Sequence, residues 1–128
     1  MAPKRHLVTV TTDSDGNGTG YTSGVINGRV ISVQYVKDGG SDAYADGVDV
    51  IVSGESTGAI VWDEDDVNAS CIRHPKAASY LNTSGAAMLF AAGGTAVPAD
   101  VVIAGERIKV AIASGGDTKT GTFYIVTE

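Results

Sequence analysis

Glycine recurs at short intervals along this chain, with 17 glycines in 128 residues, and it separates brief runs rich in Val, Ile, Thr and Tyr. The clearest run is 28–36, which follows Asn27. Asn-Gly is the favoured two-residue loop of a tight hairpin, because both residues tolerate positive φ. The pattern therefore predicts a hairpin turn at Asn27-Gly28, joining a strand at 21–26 to a strand at 29–37.

Further strands are predicted wherever an apolar or alternating run lies between turn residues. The most regular is 107–113, in which Ile108, Val110 and Ile112 alternate with polar or small residues and are expected to point inward. The other runs are 7–12, 48–52, 59–62, 101–104 and 122–126. About eight short strands at this spacing predict an all-β fold, namely an antiparallel, jelly-roll-like β-sandwich.

The length bounds the domain organisation. A chain of 128 residues is one domain, large enough to bury a single core. We expect that domain to span residues 7–128, preceded by a flexible N-terminal arm at residues 1–6.

The segment 63–98 gives the weakest pattern. Its acidic start at Asp63–Asp66 suits either the N-terminus of a short helix or a solvated turn. His74-Pro75 favours an extended backbone. The apolar run Ala86–Ala92 fits a helix or a strand, and we predict a strand because Gly93-Gly94 follows it.

The charge of the chain excludes some classes of partner. The net charge is −6, and the segment 38–66 holds nine acidic residues with neither lysine nor arginine. Broad binding to nucleic acid requires a basic surface and is therefore not expected. No apolar run approaches the roughly 18 residues of a membrane span, so no membrane association is expected either.

A small basic group stands at the start of the chain. Lys4, Arg5 and His6 are consecutive, and their charge is opposite to that of the acidic segment 38–66. Such polarity can orient a protein against its partner, which makes these three residues candidates for partner binding. The alternative interpretation is a frayed terminus beside a solvated acidic face.

One motif suggests a hydrolase. Gly54-Glu55-Ser56-Thr57-Gly58 matches the G-x-S-x-G nucleophile elbow, which requires a strand-to-helix turn. Here a second strand-like run follows the motif, so we predict an ordinary turn between two strands. No catalytic residue is assigned, and the protein is not expected to be an enzyme.

A second motif suggests calcium. Asp13, Asp15 and Asn17 alternate ahead of Gly18, as in the opening of an EF-hand loop, where three oxygens converge on one ion. The bidentate glutamate of that loop is missing, because its position is occupied by Gly24. The open alternatives are a weak calcium site in a β-loop and a plain interstrand loop built from turn-forming residues.

Cys71 is the one cysteine of the chain, so no intrachain disulfide can form. We predict that it packs as a small hydrophobic residue.

The second half of the chain carries three segments whose pattern is shared with known proteins. The stretch from Ala104 to Phe123, together with Arg73-His74-Pro75 and Ala91–Gly94, is similar to small structural proteins of tailed bacteriophages encoded near the major capsid protein. The resemblance is one of pattern, and it transfers no catalytic residues.

This resemblance implies a non-enzymatic virion component, of the kind that decorates and cements the capsid. It implies the major capsid protein as partner, a homotrimer as the oligomeric state, and a place on the capsid surface after assembly in the host cytoplasm. Two alternatives stay open: a calcium-stabilised binding or adhesion module, and a head–tail connector or tail component.

Overall fold

A computed structural model describes residues 2–78, 95 and 98–128 of the protein. All the helix or strand structure in these residues is β-strand, which confirms the predicted all-β fold. The described residues hold eleven strands where about eight were expected, and the three shortest, at 71–73, 77–78 and 98–99, lie in or beside the region with the weakest pattern. The strands are β1 (Lys4–Thr11), β2 (Gly18–Tyr21), β3 (Ile26–Lys37), β4 (Asp49–Gly54), β5 (Ile60–Glu64), β6 (Cys71–Arg73), β7 (Ala77–Ala78), β8 (Pro98–Ala99), β9 (Val102–Glu106), β10 (Ile108–Ala113) and β11 (Thr120–Thr127).

Two antiparallel sheets form the sandwich. Sheet A has the order β1-β11-β3-β6, with β9 paired to the other end of β3, and sheet B has the order β2-β10-β4-β5. The chain crosses between sheets more than once, so strands adjacent in space are distant in sequence. β7 and β8 form a separate two-stranded pair.

The core lies between the two sheets and is built from alternate residues of each strand. Ile108, Val110 and Ile112 all point inward, as their alternation predicts. Sheet A supplies the two largest fully enclosed side chains, Tyr35 and Phe123. A core of β-branched residues with a few aromatics is what a pleated, half-buried surface favours.

The predicted hairpin at Asn27-Gly28 is wrong, because both residues lie inside the continuous strand β3. Gly28 has φ of +138°, and a Cβ at this position would lie 2.5 Å from the backbone oxygen of Glu128. The glycine therefore serves close backbone packing at an irregular point in the strand. Asn27 accepts a hydrogen bond from the Gly105 amide at 2.8 Å. Pairing with β9 and with the chain end overrides the local turn preference.

The predicted N-terminal arm also needs correction. β1 begins at Lys4, so Lys4, Arg5 and His6 are strand residues that face Thr127, Val126 and Ile125 of β11. Pairing with the long strand β11 extends the regular structure to these three residues.

Within the segment 63–98, the acidic start belongs to a strand. Asp63 and Glu64 end β5, and the helix alternative for this stretch is wrong. The predicted strand at Ala86–Ala92 lies outside the described residues.

Candidate binding surfaces

The G-x-S-x-G motif forms a turn between the antiparallel strands β4 and β5, as predicted. The Glu106 carboxylate, buried behind the turn, accepts hydrogen bonds from the amides of Ser56 (2.8 Å) and Thr57 (3.0 Å). It also accepts one from the Thr57 hydroxyl at 2.8 Å. Gly54 leaves room for the carboxylate, since a Cβ there would lie 2.5 Å from Glu106 Oε1. The motif therefore forms a turn that is held in place by its hydrogen bonds to the Glu106 carboxylate.

The three donors change the acidity of Glu106. Hydrogen bonds from Thr57 and Ser56 stabilise its ionised form and lower its pKa, against an opposing effect of desolvation. Neither histidine contacts Ser56: His6 lies 3.0 Å from the Thr127 hydroxyl, and His74 lies 3.3 Å from the Ile31 carbonyl oxygen.

The Asp13 loop is held together by its own side chain. Asp13 Oδ1 accepts hydrogen bonds from the amides of Asp15 at 2.9 Å and Asn17 at 3.1 Å. An aspartate bonded to the backbone two residues ahead is a common turn device. In the described part of the chain, no three His, Cys, Asp or Glu side chains are grouped so as to hold a metal ion. The calcium hypothesis for Asp13, Asp15 and Asn17 stays a prediction.

Cys71 is half-buried at the start of β6, and burial raises the pKa of its thiol. It lines an open cavity of about 340 Å³ together with Glu64 and Arg73. Arg73 donates from Nε (2.8 Å) and a terminal nitrogen (2.9 Å) to the two oxygens of Glu64. The hydrogen bonds from Arg73 and from the Trp62 indole lower the pKa of Glu64 to about 2. The ion pair links strand β6 of sheet A to strand β5 of sheet B.

At the end of β3 that pairs with β9, Arg29 is exposed and forms ion pairs with Asp100 and Glu128. The rest of the outward-facing side of sheet A, from β1 to β6, is nearly free of charge. We call it the outer face of sheet A, and its residues follow from the alternation of buried and exposed positions and from the strand register. They are Arg5, Leu7, Thr9 and Thr11 of β1, Thr120, Thr122, Tyr124 and Val126 of β11, Ser32, Gln34 and Val36 of β3, and Ile72 of β6.

A single register row crosses this face through Leu7, Tyr124, Gln34 and Ile72. Leu7 is 57% exposed and Ile72 is 52% exposed. Arg5 is the one charged side chain on the face, and its guanidinium lies 4.1 Å from the centroid of the Tyr124 ring. A broad face of threonines and exposed apolar groups is typical of a surface that another protein covers.

The basic group predicted to bind a partner, Lys4, Arg5 and His6, forms the start of β1, beside this face. Arg5 points to the outer face, whereas Lys4 and His6 point to the opposite side and line a cavity of about 130 Å³. Val25, Ile26, Asn27 and Thr127 complete the lining. The basic residues could be recognised from the sequence, whereas the outer face of sheet A was not predicted. The signal available for that face was the Thr-x-Thr alternation at Thr9–Thr11 and Thr120–Thr122.

No protein-family model matches this chain. No curated protein matches it either. The crystal structure of FLHE is similar to this chain at 10% sequence identity and a TM-score of 0.49. The alignment covers 100% of this chain and 99% of the FLHE chain. Similarity at that level does not bear on function. Among the described residues, no helix is long and apolar enough to cross a membrane.

Proposed function

We propose that this protein is a non-enzymatic structural subunit of a bacteriophage virion, one that decorates the capsid by docking on the major capsid protein. The supporting observation is the outer face of sheet A, where Leu7 and Ile72 are exposed on one register row and Arg5 is the one charged residue. A cementing subunit has no need of a catalytic group. It needs a rigid domain with a surface that loses little hydration energy on docking.

The outer side of sheet B supports this choice of docking face by contrast. There Lys109, Asp49 and Asp63 occupy outward positions, and Arg107 lies over the Tyr21 ring, 4.3 Å from its centroid. Charged groups are depleted at the centre of protein interfaces. We therefore assign sheet A to the shell and sheet B to solvent, in a homotrimer on the capsid surface.

The first experiment measures the native mass of the protein, followed by co-sedimentation with heads of the phage that carries this sequence. The proposal expects a trimer, in solution or on the particle, and binding to heads. A strictly monomeric protein without affinity for heads contradicts it. A ring of another symmetry would favour a head–tail connector or tail component instead.

A pair of matched variants tests which face docks. Thr122→Lys introduces a charge at the centre of the outer face of sheet A, and Ala111→Lys introduces the same charge on the outer side of sheet B. We expect the first to weaken co-sedimentation about tenfold or more and the second to leave it unchanged, because burying an unpaired charge is costly. Equal effects would remove the assignment of the face.

The second candidate function is a calcium-stabilised binding module, and the observation that favours it is the Asp13 loop. A pair of variants, Asp13→Ala and Asp15→Ala, distinguishes calcium binding from a loop that is closed by hydrogen bonds. Calcium coordination requires both Asp13 and Asp15, and it raises the melting temperature because only the folded protein binds the ion. Closure of the loop by hydrogen bonds requires Asp13 alone. No shift at millimolar calcium, with Asp13→Ala destabilising and Asp15→Ala neutral, would remove the calcium module.

A further inference from the structure

β1 pairs with β11 along one side, and the direction of its remaining backbone groups follows from the ladder. The Thr12 amide, just past the strand, donates to the Lys119 carbonyl at 2.8 Å. In an antiparallel ladder, hydrogen-bonded pairs alternate with non-hydrogen-bonded pairs. The backbone N–H and C=O groups of every second residue before Thr12 therefore also point toward β11. The backbone N–H and C=O groups of Arg5, Leu7, Thr9 and Thr11 consequently point away from β11, toward the edge of the sheet.

Strand β2 covers one half of this edge. A methyl group at Gly18 would lie 2.8 Å from the Thr11 carbonyl oxygen, and one at Gly20 would lie 3.2 Å from that of Thr9. Among the described residues, no backbone group outside the strand ladders hydrogen-bonds to the backbone of Arg5 or Leu7. We call Lys4–Leu7 the open edge. Unpaired edge groups of this kind are a template for another strand.

A polar cavity lies directly beside the open edge. Lys4 and His6 of β1 line it together with Asn27 and Thr127, and the Thr127 hydroxyl lies 3.0 Å from His6 Nε2. A second, smaller cavity of about 60 Å³ adjoins it and shares Lys4 with it. When an extended peptide adds to a sheet edge, the main chain provides affinity and such cavities select alternate side chains.

The charged side chains of the open edge itself are positive. Lys4 makes no hydrogen bond or ion pair with any described residue, and Arg5 rests on the Tyr124 ring. The nearby Glu128 carboxylate is engaged by Arg29 at 2.8 Å. Pairing of two open edges with each other would bring like charges together, which disfavours a second β1 as the occupant.

We propose that the open edge of β1 accepts an extended, acidic segment of a partner protein as an added strand, with one carboxylate side chain of that segment in the cavity between Lys4 and Asn27. The edge groups of Arg5 and Leu7 supply the main-chain hydrogen bonds. Lys4 supplies the charge that selects an acidic side chain. The side chains of Arg5 and Leu7 belong to the outer face of sheet A, but strand addition uses their backbone groups and the opposite side of the sheet, where Lys4 and His6 lie. It therefore does not depend on capsid docking.

A synthetic peptide of alternating glutamate and valine is the probe, titrated into the isotope-labelled protein and followed by amide chemical shifts. The expected perturbations lie at Lys4–Leu7, Val25 and Asn27, and a peptide with glutamine in place of glutamate binds about tenfold more weakly. Perturbations elsewhere, equal binding of the two peptides, or no binding at millimolar peptide overturns the proposal.

Two variant pairs test the mechanism. Lys4→Glu is expected to weaken binding about tenfold, whereas Lys109→Glu, the same change on sheet B, leaves it unchanged. Leu7→Pro removes an amide that faces the edge and blocks the added strand, whereas Leu7→Thr retains that amide and binding. If Leu7→Pro does not fold, the Lys4 pair decides alone. Concentration-dependent shifts at the open edge without peptide, lost in Lys4→Glu, would overturn the proposal in favour of self-association.

Discussion

Two buried tyrosines in the core differ in the state of their hydroxyl groups. Tyr35 stacks between Tyr44 and Phe123, with ring centroids 6.0 Å and 5.1 Å away. The Tyr44 hydroxyl donates to the Val10 carbonyl at 2.6 Å. The Tyr35 hydroxyl is buried without a hydrogen-bond partner among the described residues. Both rings serve packing, but one carries a polar atom whose burial costs free energy.

We expect Tyr35→Phe to leave the free energy of unfolding unchanged or to raise it by about 1 kcal/mol, since it removes an unsatisfied hydroxyl. Tyr44→Phe should lower it by about 1 kcal/mol, because its hydrogen bond to the Val10 carbonyl is lost, although that carbonyl still accepts one from the Thr120 hydroxyl at 3.4 Å. Urea denaturation at neutral pH measures both changes, and the two variants control each other. A larger loss for Tyr35→Phe than for Tyr44→Phe would contradict this account.

The same burial predicts sensitivity to alkali. Desolvation raises the pKa of Tyr35 from 10.0 to about 12. The folded protein therefore holds this proton more tightly than the unfolded chain, and stability falls as the pH rises from about 10 to 12. Tyr35→Phe should lose less stability over that interval than the wild type does. Thermal unfolding at pH 9 and pH 11 measures the difference, and identical losses would exclude the effect.

The contribution of Glu106 to stability is sensitive to acid. Its pKa is lowered by the hydrogen bonds from Thr57 and Ser56, so its contribution is full above the unfolded pKa and disappears as the pH falls through the folded pKa. We expect Glu106→Gln to lower the melting temperature at pH 7 and to approach the wild type as the pH falls below about 4. Thr57→Val removes the hydroxyl donor and should act in the same direction with a smaller effect. A pH-independent difference would contradict this role of the hydrogen bonds.

At the scale of elements, the regular strands could be predicted from the sequence and their irregularities could not. The alternation at Ile108, Val110 and Ile112 is a local pattern, and it correctly gave the buried face of β10. Asn27-Gly28 is equally clear as a local turn signal, yet it lies within β3. Its conformation depends on β9 and on Glu128, which lie more than seventy residues away along the chain.

Gly28 should therefore be far less replaceable than an ordinary loop glycine. Gly28→Ala forces a Cβ to within 2.5 Å of the Glu128 oxygen at a φ that L-residues avoid, and we expect a loss of about 2 to 4 kcal/mol of unfolding free energy. Gly39→Ala is the control, because nothing lies within 4 Å of a Cβ at that position. Chemical denaturation of both variants tests this expectation. Similar stabilities would mean that the β3 irregularity is readily relaxed.

At the scale of the molecule, the candidate surfaces depend on strand register. The basic residues Lys4 and Arg5 were visible in the sequence because they are consecutive. The row through Leu7, Tyr124 and Ile72 was not visible, because it joins three distant strands that become neighbours only in the folded sheet. Charge clusters can be seen along a chain, whereas an uncharged face appears only after the strands have been paired.

The negative charge of the molecule is also concentrated by folding. Asp65 lies just past β5, where the charges of Asp49, Asp63 and Asp66 surround it and raise its pKa, with Asp49 as the largest cause. Because the folded-state pKa is raised, the repulsion is absent at low pH and develops as the pH rises through that pKa. The cluster therefore opposes folding at neutral pH, and the rest of the sandwich compensates for it.

Removing one charge from this cluster should stabilise the protein. We expect Asp65→Asn to raise the melting temperature at pH 7 and low ionic strength, and we expect the gain to vanish as the pH falls and Asp65 becomes protonated. About 0.5 M NaCl should also remove most of the gain, because exposed charges are screened over a few ångströms at that concentration. Asp15→Asn, an exposed aspartate outside the cluster, is the control and should change little. A gain that persists in high salt would mean that Asp65 acts through backbone conformation instead of charge.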